Sequence, residues 1–484
     1  MPLIIPSQSP EQGFNRTDVA AVVGLMVLTA GSFWRTVHSY FLSDDFVLLK
    51  HARSFHGTFW QLFTTGGGDG FFRPIGYVSL AFTWSWAGAN PVLWHATALA
   101  LHITNTILVY VLAVLLDRSR LSAVFAAALF AIHGTRPEVA VWIAGRFDLL
   151  STLFVLCGLL LFIRSETEVA PSGYLYALAS LVCMVLAILT KESAYVFPFL
   201  LVLFLVSEGH WSWRRLARLF SFHFVAACLF AYRWIPFGGI GGYRDVHTGA
   251  PQALTLEVIH TLKAMLLRVW AVLWFPINWS SEPDRLLAVL VLAYVLSAAW
   301  LAFVRIERDE LLFPLGFVLV SILPPLHLLL IGSDLAKSRL LYLPSVGFCL
   351  MLAVAVDGLR GRKRYVLPGF FVAFHFVALQ HNLRLWEDAS EKAKAISSAA
   401  VKCAGPGTQR IVVSGLPGAL RGVPFFANGF GEAIQLQQGN EEIAVVQATS
   451  GGTSDSRASS CVLVWDSVNN ELRAAAQSGH ENLK

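Results

Sequence analysis

Long apolar runs recur along the chain from about residue 17 to about residue 380, separated by short polar joints. A helix needs roughly 17–25 predominantly apolar residues to cross the hydrocarbon core of a bilayer. On this pattern we place about eleven spans. They lie near residues 17–40, 92–116, 121–134, 148–164, 173–190, 193–207, 219–237, 285–304, 311–330, 341–357 and 365–381. The pattern predicts an all-α polytopic membrane protein.

The pattern changes after residue 382, where the sequence becomes polar. The stretches RIVVSGLP, EIAVVQA and SCVLVWDS are typical of β-strands, and PFFANGFGEAIQLQ between them is typical of a helix. We therefore divide the chain into a transmembrane domain at residues 1–382 and a small soluble α/β or α+β domain at residues 383–484. Cys403 and Cys461 both lie in the soluble domain and are the candidates for a disulfide.

The joints between spans alternate in character. One set is short and basic, and the positive-inside rule assigns it to the cytoplasm. This set contains Arg118, Arg120, Arg164, Arg214, Arg215, Arg218, Arg305, Arg308, Arg360, Arg362, Lys363 and Arg364. The alternate set then lies outside, with a long first outer loop at 41–91 and another at 238–284. We expect a cytoplasmic N-terminus and a periplasmic C-terminal domain, as in a bacterial inner membrane, with the Gly-rich start of loop 238–284 acting as a lid.

The composition makes the positions of the charged residues outside the basic joints informative, because charged residues are few. Hydrophobic residues make up 56% of the chain, charged residues only 14%, and the net charge of +5 is spread over many short loops. This distribution argues against a nucleic-acid partner. The chemically capable side chains collect in the outer joints, and charges buried at such places usually pair or serve a site. The sequence therefore predicts a cavity at the outer leaflet.

Six motifs in a fixed order carry a resemblance. They are the Asp pair after the first span, FFRPI, HATALALHITN, LFAIHGTRPEVAVWIAGRFDLLSTLF, TKESAYVFP and SRLLYLPSVGF. Over residues 17–390 they resemble the membrane half of the eukaryotic O-mannosyltransferases with transmembrane and tetratricopeptide regions, and bacterial relatives of that type. The resemblance implies a GT-C fold, a polyprenyl-phosphate-linked sugar as donor and a catalytic acidic residue in the first outer loop. The C-terminal part has no repeat of about 34 residues, so the acceptor stays open between protein, lipid and glycan.

Asp44 and Asp45 follow the first span directly. A carboxylate within hydrogen-bond reach of an acceptor hydroxyl can take its proton, which contributes roughly 10²–10⁴ in rate. The match to the first acid of the family's motif assigns this role to Asp44, with Asp45 in support, and the reverse assignment stays open. Alternatively, SDDF simply caps a helix, since Ser and Asp are good N-cap residues.

The departing lipid phosphate gains negative charge, which fixed cations stabilise. The outer joints offer Arg73, Arg146, Lys191, Arg244 and Arg339. Arg339 is favoured because SRLLYLP matches the family's basic and aromatic motif. Each of these cations could equally be an interfacial anchor whose head reaches the lipid head groups.

Other polar residues are assigned supporting roles. Glu138 could pair with Arg146 to hold the loop between two spans, and Asp148 could cap the next helix. His133 with Glu138 matches no strong zinc signature, so we expect no required metal or other cofactor, although a divalent cation stays open.

Two further supporting residues are ambiguous. Glu192 follows Lys191 directly, and the two could form a local ion pair or a site for the donor phosphate. His102 shares one helical face with His95 and Asn105. Hydrogen bonding between helices is the usual reason for such residues in membranes.

Two other functional classes compete with a glycosyltransferase. A transporter or flippase-like carrier could use the same charged cavity for a lipid-linked or anionic solute, but polar or broken helices near the bilayer midplane are expected there. A non-catalytic assembly scaffold is the third. In this chain the ionisable residues gather at one face, which favours the enzyme.

Overall fold

The computed structural model describes most of the chain. The described residues are 15–55, 59–65, 70–209, 212–237, 258–282, 285–301, 306–403, 408, 410–439, 443–448, 460–466 and 471–474. The α-helices are α1 (Arg16–Phe33), α2 (Asp44–Ser54), α3 (Phe59–Thr65), α4 (Pro74–Ala87), α5 (Pro91–Leu115), α6 (Arg120–Ile132), α7 (Pro137–Ala140), α8 (Arg146–Thr167), α9 (Ser172–Thr190), α10 (Phe197–Glu208), α11 (Trp213–Phe237), α12 (Val258–Lys263), α13 (Val269–Trp274), α14 (Arg285–Leu301), α15 (Arg308–Ser321), α16 (Pro344–Asp357), α17 (Lys363–Cys403) and α18 (Phe430–Gln438).

A helix lies at every position where the apolar pattern predicts a span. Six of the described helices, α1, α5, α8 with the short turn before it, α9, α11 and α17, are long and apolar enough to cross a membrane, and three shorter apolar helices accompany them. Local signals set several helix starts. Asn15 and Asp18 form a capping box at α1, and Asn90 caps α5 with Pro91 in its first turn. The protein is built as an integral membrane protein.

Two boundaries differ more than the others from the predicted ones. The span expected at 311–330 ends at Ser321, shortly before the adjacent Pro324 and Pro325, which remove two successive backbone donors and disfavour helical geometry in the residue before them. The chain then forms short turns until α16 begins at Pro344. The expected domain boundary at residue 382 lies inside α17, which continues without interruption to Cys403.

The basic joints form ion pairs with acidic residues. Arg120 pairs with Asp18 at 2.7 Å, Arg118 pairs with Glu310 at 3.2 Å, and Arg218 pairs with Glu166 at 2.6 Å. These contacts join neighbouring helix ends on the side of the bundle that the sequence assigns to the cytoplasm. The helix ends with the predicted site residues lie on the other side.

The C-terminal module, residues 410–474 as far as they are described, contains the predicted strands and helix. Its strands are β1 (Arg410–Ser414), β2 (Ala419–Leu420), β3 (Val423–Pro424), β4 (Ala444–Ala448), β5 (Ser460–Asp466) and β6 (Glu471–Ala474). A four-stranded sheet has the order β4-β1-β5-β6, with only β6 antiparallel to its neighbour. Helix α18 packs against both α17 and α2. The predicted Cys403–Cys461 disulfide is formed and joins α17 to β5.

Candidate active site

Two cavities lie at the end of the bundle that carries the predicted site residues. The first, which we call the cationic cavity, has a volume of about 920 Å³. Its charged lining consists of Arg73, Asp148, Lys191, Glu192, Arg233, Lys337 and Arg339. Five cations thus face two carboxylates, which gives the cavity an excess of positive charge. Such an excess suits a phosphate.

The second cavity, which we call the aspartate cavity, has a volume of about 700 Å³ and is lined by Asp44 and His51 of α2. Its opposite wall comes from the C-terminal module. The two cavities share the lining residues Phe71, Arg73, Ala144, Phe147 and Arg339. A carboxylate and a basic cluster therefore face each other across a common boundary.

The two adjacent aspartates have different surroundings. Asp44 is partly exposed, lines the aspartate cavity and accepts a hydrogen bond of 2.8 Å from the Asn428 side chain. Asp45 is 1% exposed and accepts hydrogen bonds from the backbone N–H groups of Leu42 (3.0 Å) and Ala144 (3.2 Å). Burial raises the pKa of Asp45 well above its usual value, although those hydrogen bonds oppose the shift. The Ser43 side chain makes no capping bond, so capping by that residue does not explain the SDDF motif.

The lining of the cationic cavity contains two ion pairs. Arg73 binds Glu192 through two hydrogen bonds, of 2.9 Å and 2.5 Å, and Lys191 binds Asp148 at 2.5 Å. The local pair between Lys191 and Glu192 considered from the sequence is therefore wrong, because each residue has a partner on another helix or loop. Burial alone would raise the pKa of Glu192, but the Arg73 guanidinium lowers it to about 2. Burial lowers the pKa of Lys191, and the Asp148 carboxylate opposes that shift.

Three cations of this cavity, Arg233, Lys337 and Arg339, form no ion pair within the described part of the chain. Arg339 lies over the Trp142 ring, with its guanidinium carbon 4.4 Å from the ring centre. The Nε atoms of Arg233 and Arg339 are buried and have no hydrogen-bond partner among the described residues. These guanidinium groups are therefore available to an anion.

Arg233 was missed by the sequence reasoning. It lies in the last turns of α11, inside the apolar run at 219–237. A charge within such a run was the available signal, because charged residues in membrane helices usually face a cavity or a partner.

Glu138 positions the loop that carries Arg339. Its buried carboxylate accepts hydrogen bonds from the backbone N–H groups of Lys337 (3.0 Å) and Arg339 (2.9 Å) and from the Ser338 hydroxyl (3.0 Å). Burial raises the pKa of Glu138, and the nearby Arg339 charge and these hydrogen bonds oppose the shift. The expected pair of Glu138 with Arg146 is wrong, because Glu138 is occupied by this loop.

Arg146 does not reach either cavity. It is 2% exposed, donates hydrogen bonds to the hydroxyls of Thr83 and Thr97, and lies over the Trp94 ring. The Arg146 side chain at the N-terminal end of α8 therefore lies in the packed core and is absent from the lining of both cavities. Asp148 lies two residues later on α8, about 200° around the helix axis, and does line the cationic cavity.

His102 and His133 are also buried away from the cavities. The two ring nitrogens of His102 lie 2.8 Å from the Tyr342 hydroxyl and 2.9 Å from the Ala131 carbonyl oxygen. The ring nitrogens of His133 lie 2.9 Å from both the Thr135 hydroxyl and the Leu273 carbonyl oxygen. Both histidines join helices and loops. Arg244 and the Gly-rich start of the predicted lid, residues 238–257, lie outside the described residues.

The cationic cavity has an apolar wall. Its apolar lining includes Phe199, Phe230, Leu328, Leu340 and Leu343. Phe199 and Phe230 also belong to the exposed apolar surface of the bundle. A hydrocarbon chain could therefore lie along this wall while its head group meets the cations. Among the residues described, no group of three or more His, Cys, Asp or Glu side chains is arranged to hold a metal ion.

Comparison with known sequences gives a consistent picture. The chain is 25% identical to human protein O-mannosyl-transferase TMTC4 over 391 residues, which is 66% of this chain and 52% of the relative. It is 22% identical to human TMTC3 over 434 residues, 78% of this chain and 47% of the relative. The predicted resemblance to these O-mannosyltransferases is confirmed. The chain spans about half the length of these relatives, and no family model matches it.

Comparison with solved structures gives weaker likenesses. The Archaeoglobus fulgidus oligosaccharyltransferase, solved with a tethered acceptor peptide, gives a TM-score of 0.43 at 12% identity, covering 90% of this chain and 64% of that one. ArnT from Cupriavidus metallidurans in the apo state gives a TM-score of 0.39 at 13% identity, covering 89% of this chain and 90% of that one.

Proposed function

We propose that the protein is an integral membrane glycosyltransferase of the GT-C type. It moves a sugar from a polyprenyl-phosphate donor to an acceptor hydroxyl, with inversion at the anomeric carbon. The acceptor is a protein, a lipid or a glycan. The reaction takes place on the outer face, in a bacterial inner membrane with the N-terminus in the cytoplasm and the C-terminal module in the periplasm.

The shared boundary of the two cavities is the observation that carries this proposal. The donor phosphate would lie between Arg339, Arg233 and Lys337, with its lipid chain along the apolar wall. The sugar would then extend past Arg73 toward Asp44. An acceptor hydroxyl in the aspartate cavity would meet the anomeric carbon from the side opposite the phosphate, which is the geometry of a direct displacement.

Asp44 is the proposed general base. It takes the proton of the acceptor hydroxyl while the bond from the hydroxyl oxygen to the anomeric carbon forms and the bond from that carbon to the phosphate oxygen breaks. The cations stabilise the negative charge that the phosphate gains. The proposal assigns no required metal, so transfer should survive treatment with EDTA.

The test uses purified protein with a panel of polyprenyl-phosphate sugars and hydroxyl acceptors. Asp44→Asn should lower transfer by roughly 10²–10⁴ and leave donor binding unchanged. Asp45→Asn is the matched control, because the same change one residue away affects a buried carboxylate that binds backbone N–H groups. We expect Asp45→Asn to lower the melting temperature. Full transfer by Asp44→Asn would overturn the assignment of the base.

The same experiment separates an enzyme from a carrier. A lipid-linked sugar carrier would move the donor across vesicle membranes without forming a new glycosidic bond. Product formation by the unsubstituted protein supports a glycosyltransferase. Transport of the donor without product formation would instead support a carrier.

A further inference from the structure

One wall of the aspartate cavity comes from the C-terminal module, which the sequence leaves without a role. The module residues in this wall are Ala427, Asn428, Gly429, Phe430, Gly431, Glu432, Gln435 and Val445. They face Asp44 and His51 of α2 across the cavity. An acceptor hydroxyl that approaches Asp44 would therefore pass between α2 and this module.

The module contacts the segment that carries Asp44 through a backbone hydrogen bond and through stacked aromatic rings. The Ser43 backbone N–H donates a hydrogen bond of 2.9 Å to the Phe425 carbonyl oxygen. The Phe46 and Phe426 rings stack, with centres 6.1 Å apart and planes at 17°. Ser43 itself has φ +46°, an uncommon conformation for a residue other than glycine. The module therefore holds the residue immediately before Asp44.

Gly429 allows the close approach of these two segments. Its φ is +81°, a conformation that glycine adopts easily. A Cβ atom at this position would overlap the Ser43 carbonyl oxygen. Two side-chain contacts extend the interface: Lys50 binds Gln435 at 3.2 Å, and Gln437 binds the Tyr40 hydroxyl at 2.7 Å.

The Asn428 side chain makes the direct contact with the reacting group. Its amide nitrogen donates a hydrogen bond of 2.8 Å to Oδ1 of Asp44. A neutral amide donor fixes the carboxylate rotamer without supplying or removing a charge. With Oδ1 held in this way, Oδ2 is the oxygen that can meet an incoming hydroxyl.

We propose that Asn428 is a positioning residue for Asp44 and that the C-terminal module supplies the acceptor-facing wall of the active site. This inference rests on the proposed function. If the inference holds, the module is part of the active site and is not an accessory domain.

The test compares Asn428→Ala and Asn428→Asp with the unsubstituted protein, using the full chain and the donor and acceptor on which that protein is active. The first change removes the hydrogen bond. The second keeps the size of the side chain but places a carboxylate against Asp44. We expect both variants to lower kcat at least ten-fold, with donor Kd unchanged. The effect should fall on kcat more than on the KM for acceptor, because Asn428 acts through Asp44.

Gln437→Ala is the matched control. It removes another hydrogen bond of the module, to Tyr40 just before the first outer loop, at a side chain that does not line the cavity. We expect its kcat to equal that of the unsubstituted protein. The Cys403–Cys461 disulfide and the melting temperature report whether each variant is folded.

The outcomes are distinct. If the unsubstituted protein transfers no sugar from any donor of the panel, the proposed function fails and this inference fails with it. If it is active and both Asn428 variants keep its kcat, the inference alone is overturned. An equal loss of kcat in Gln437→Ala also overturns it, because the effect would then belong to module docking in general.

Discussion

At the scale of the residue, surroundings distinguish side chains that the sequence shows as equivalent. Asp44 and Asp45 are adjacent on one helix, where successive side chains point about 100° apart. One therefore faces the aspartate cavity while the other is buried against the backbone N–H groups of Leu42 and Ala144. The same sorting applies to the cations. Arg339 lines both cavities, whereas Arg146 is buried against threonine hydroxyls and Trp94.

The Arg73–Glu192 ion pair predicts an acid-sensitive step in stability. The pKa of Glu192 is about 2 in the folded protein, below its ordinary value of 4.5. The carboxylate therefore stabilises the fold at pH values above 4.5, and this contribution is lost as the pH falls toward about 2. We expect the melting temperature of the unsubstituted protein to fall across this range more steeply than that of Glu192→Gln.

The control for this measurement is Asp388→Asn. Asp388 pairs with Lys392 on the surface of α17, and exposed pairs of this kind contribute little. Its acid profile should follow that of the unsubstituted protein. Identical profiles for Glu192→Gln and the unsubstituted protein would show that the Arg73–Glu192 pair contributes no pH-dependent stability.

At the scale of the element, the turns between α15 and α16 decide the chemistry of the cationic cavity. Pro324 and Pro325 stop the helix, which releases the segment that brings Lys337 and Arg339 to the cavity. The segment contains no long element of its own, and Glu138 of α7 holds it through three hydrogen bonds. The position of Arg339 thus depends on a carboxylate about two hundred residues away along the chain.

Glu138→Ala should weaken donor binding, although Glu138 acts only through the loop that carries Arg339 and does not contact the donor itself. Hydrogen bonds to a charged group are worth about 1.5–3 kcal/mol each. Losing three of them should displace Arg339 and raise the donor Kd on the order of ten-fold or more. Glu138→Gln keeps an acceptor oxygen, so its donor Kd should lie between those of the unsubstituted protein and Glu138→Ala. Donor binding can be measured by titration of the detergent-solubilised protein.

Ser338→Ala is the matched control, since it removes one of these three hydrogen bonds and leaves the backbone contacts of Glu138. Of the three variants, Ser338→Ala should have the smallest effect on the donor Kd. An unchanged donor Kd in Glu138→Ala would mean that the loop holds Arg339 without this carboxylate.

At the scale of the whole molecule, the transmembrane bundle and the C-terminal module form one continuous structure. Helix α17 extends from the bundle without a break to Cys403, and it packs against α18 of the module. The Cys403–Cys461 disulfide then joins its last residue to β5. A covalent bond and the interface with α2 together fix the wall of the aspartate cavity.

Breaking the disulfide should loosen the module. Cross-links of this kind typically contribute 2–4 kcal/mol, roughly, so Cys403→Ser should lower the melting temperature and increase proteolysis within the module. Treatment with a reductant should have the same effect on the unsubstituted protein. In intact cells, an external location of the module predicts that Cys403 and Cys461 are oxidised.

Cys228→Ser serves as the control, because Cys228 is a free thiol on α11 that takes no part in a disulfide. It should not change the melting temperature. Free thiols detected at Cys403 and Cys461 in the unreduced protein would contradict both the disulfide and the predicted location.

The sequence by itself determined the positions of the membrane helices, three of the strands of the module (β1, β4 and β5) and the candidate disulfide partners. The helices and these strands depend on local patterns, since a span must be apolar over its own length and a buried strand is a short apolar run. The disulfide followed from composition, because residues 383–484 contain only these two cysteines. The motif order also indicated the relatives, because that signal is carried by the sequence alone.

Only the tertiary structure decided which charged side chains meet. Arg73 binds Glu192 across 119 positions, and Asn428 binds Asp44 across 384. Such partners are chosen by the packing of helices that are distant in sequence, so no local pattern predicts them. For the same reason Arg233 reaches the cavity from inside an apolar run and Arg146 does not reach it from a motif rich in charge.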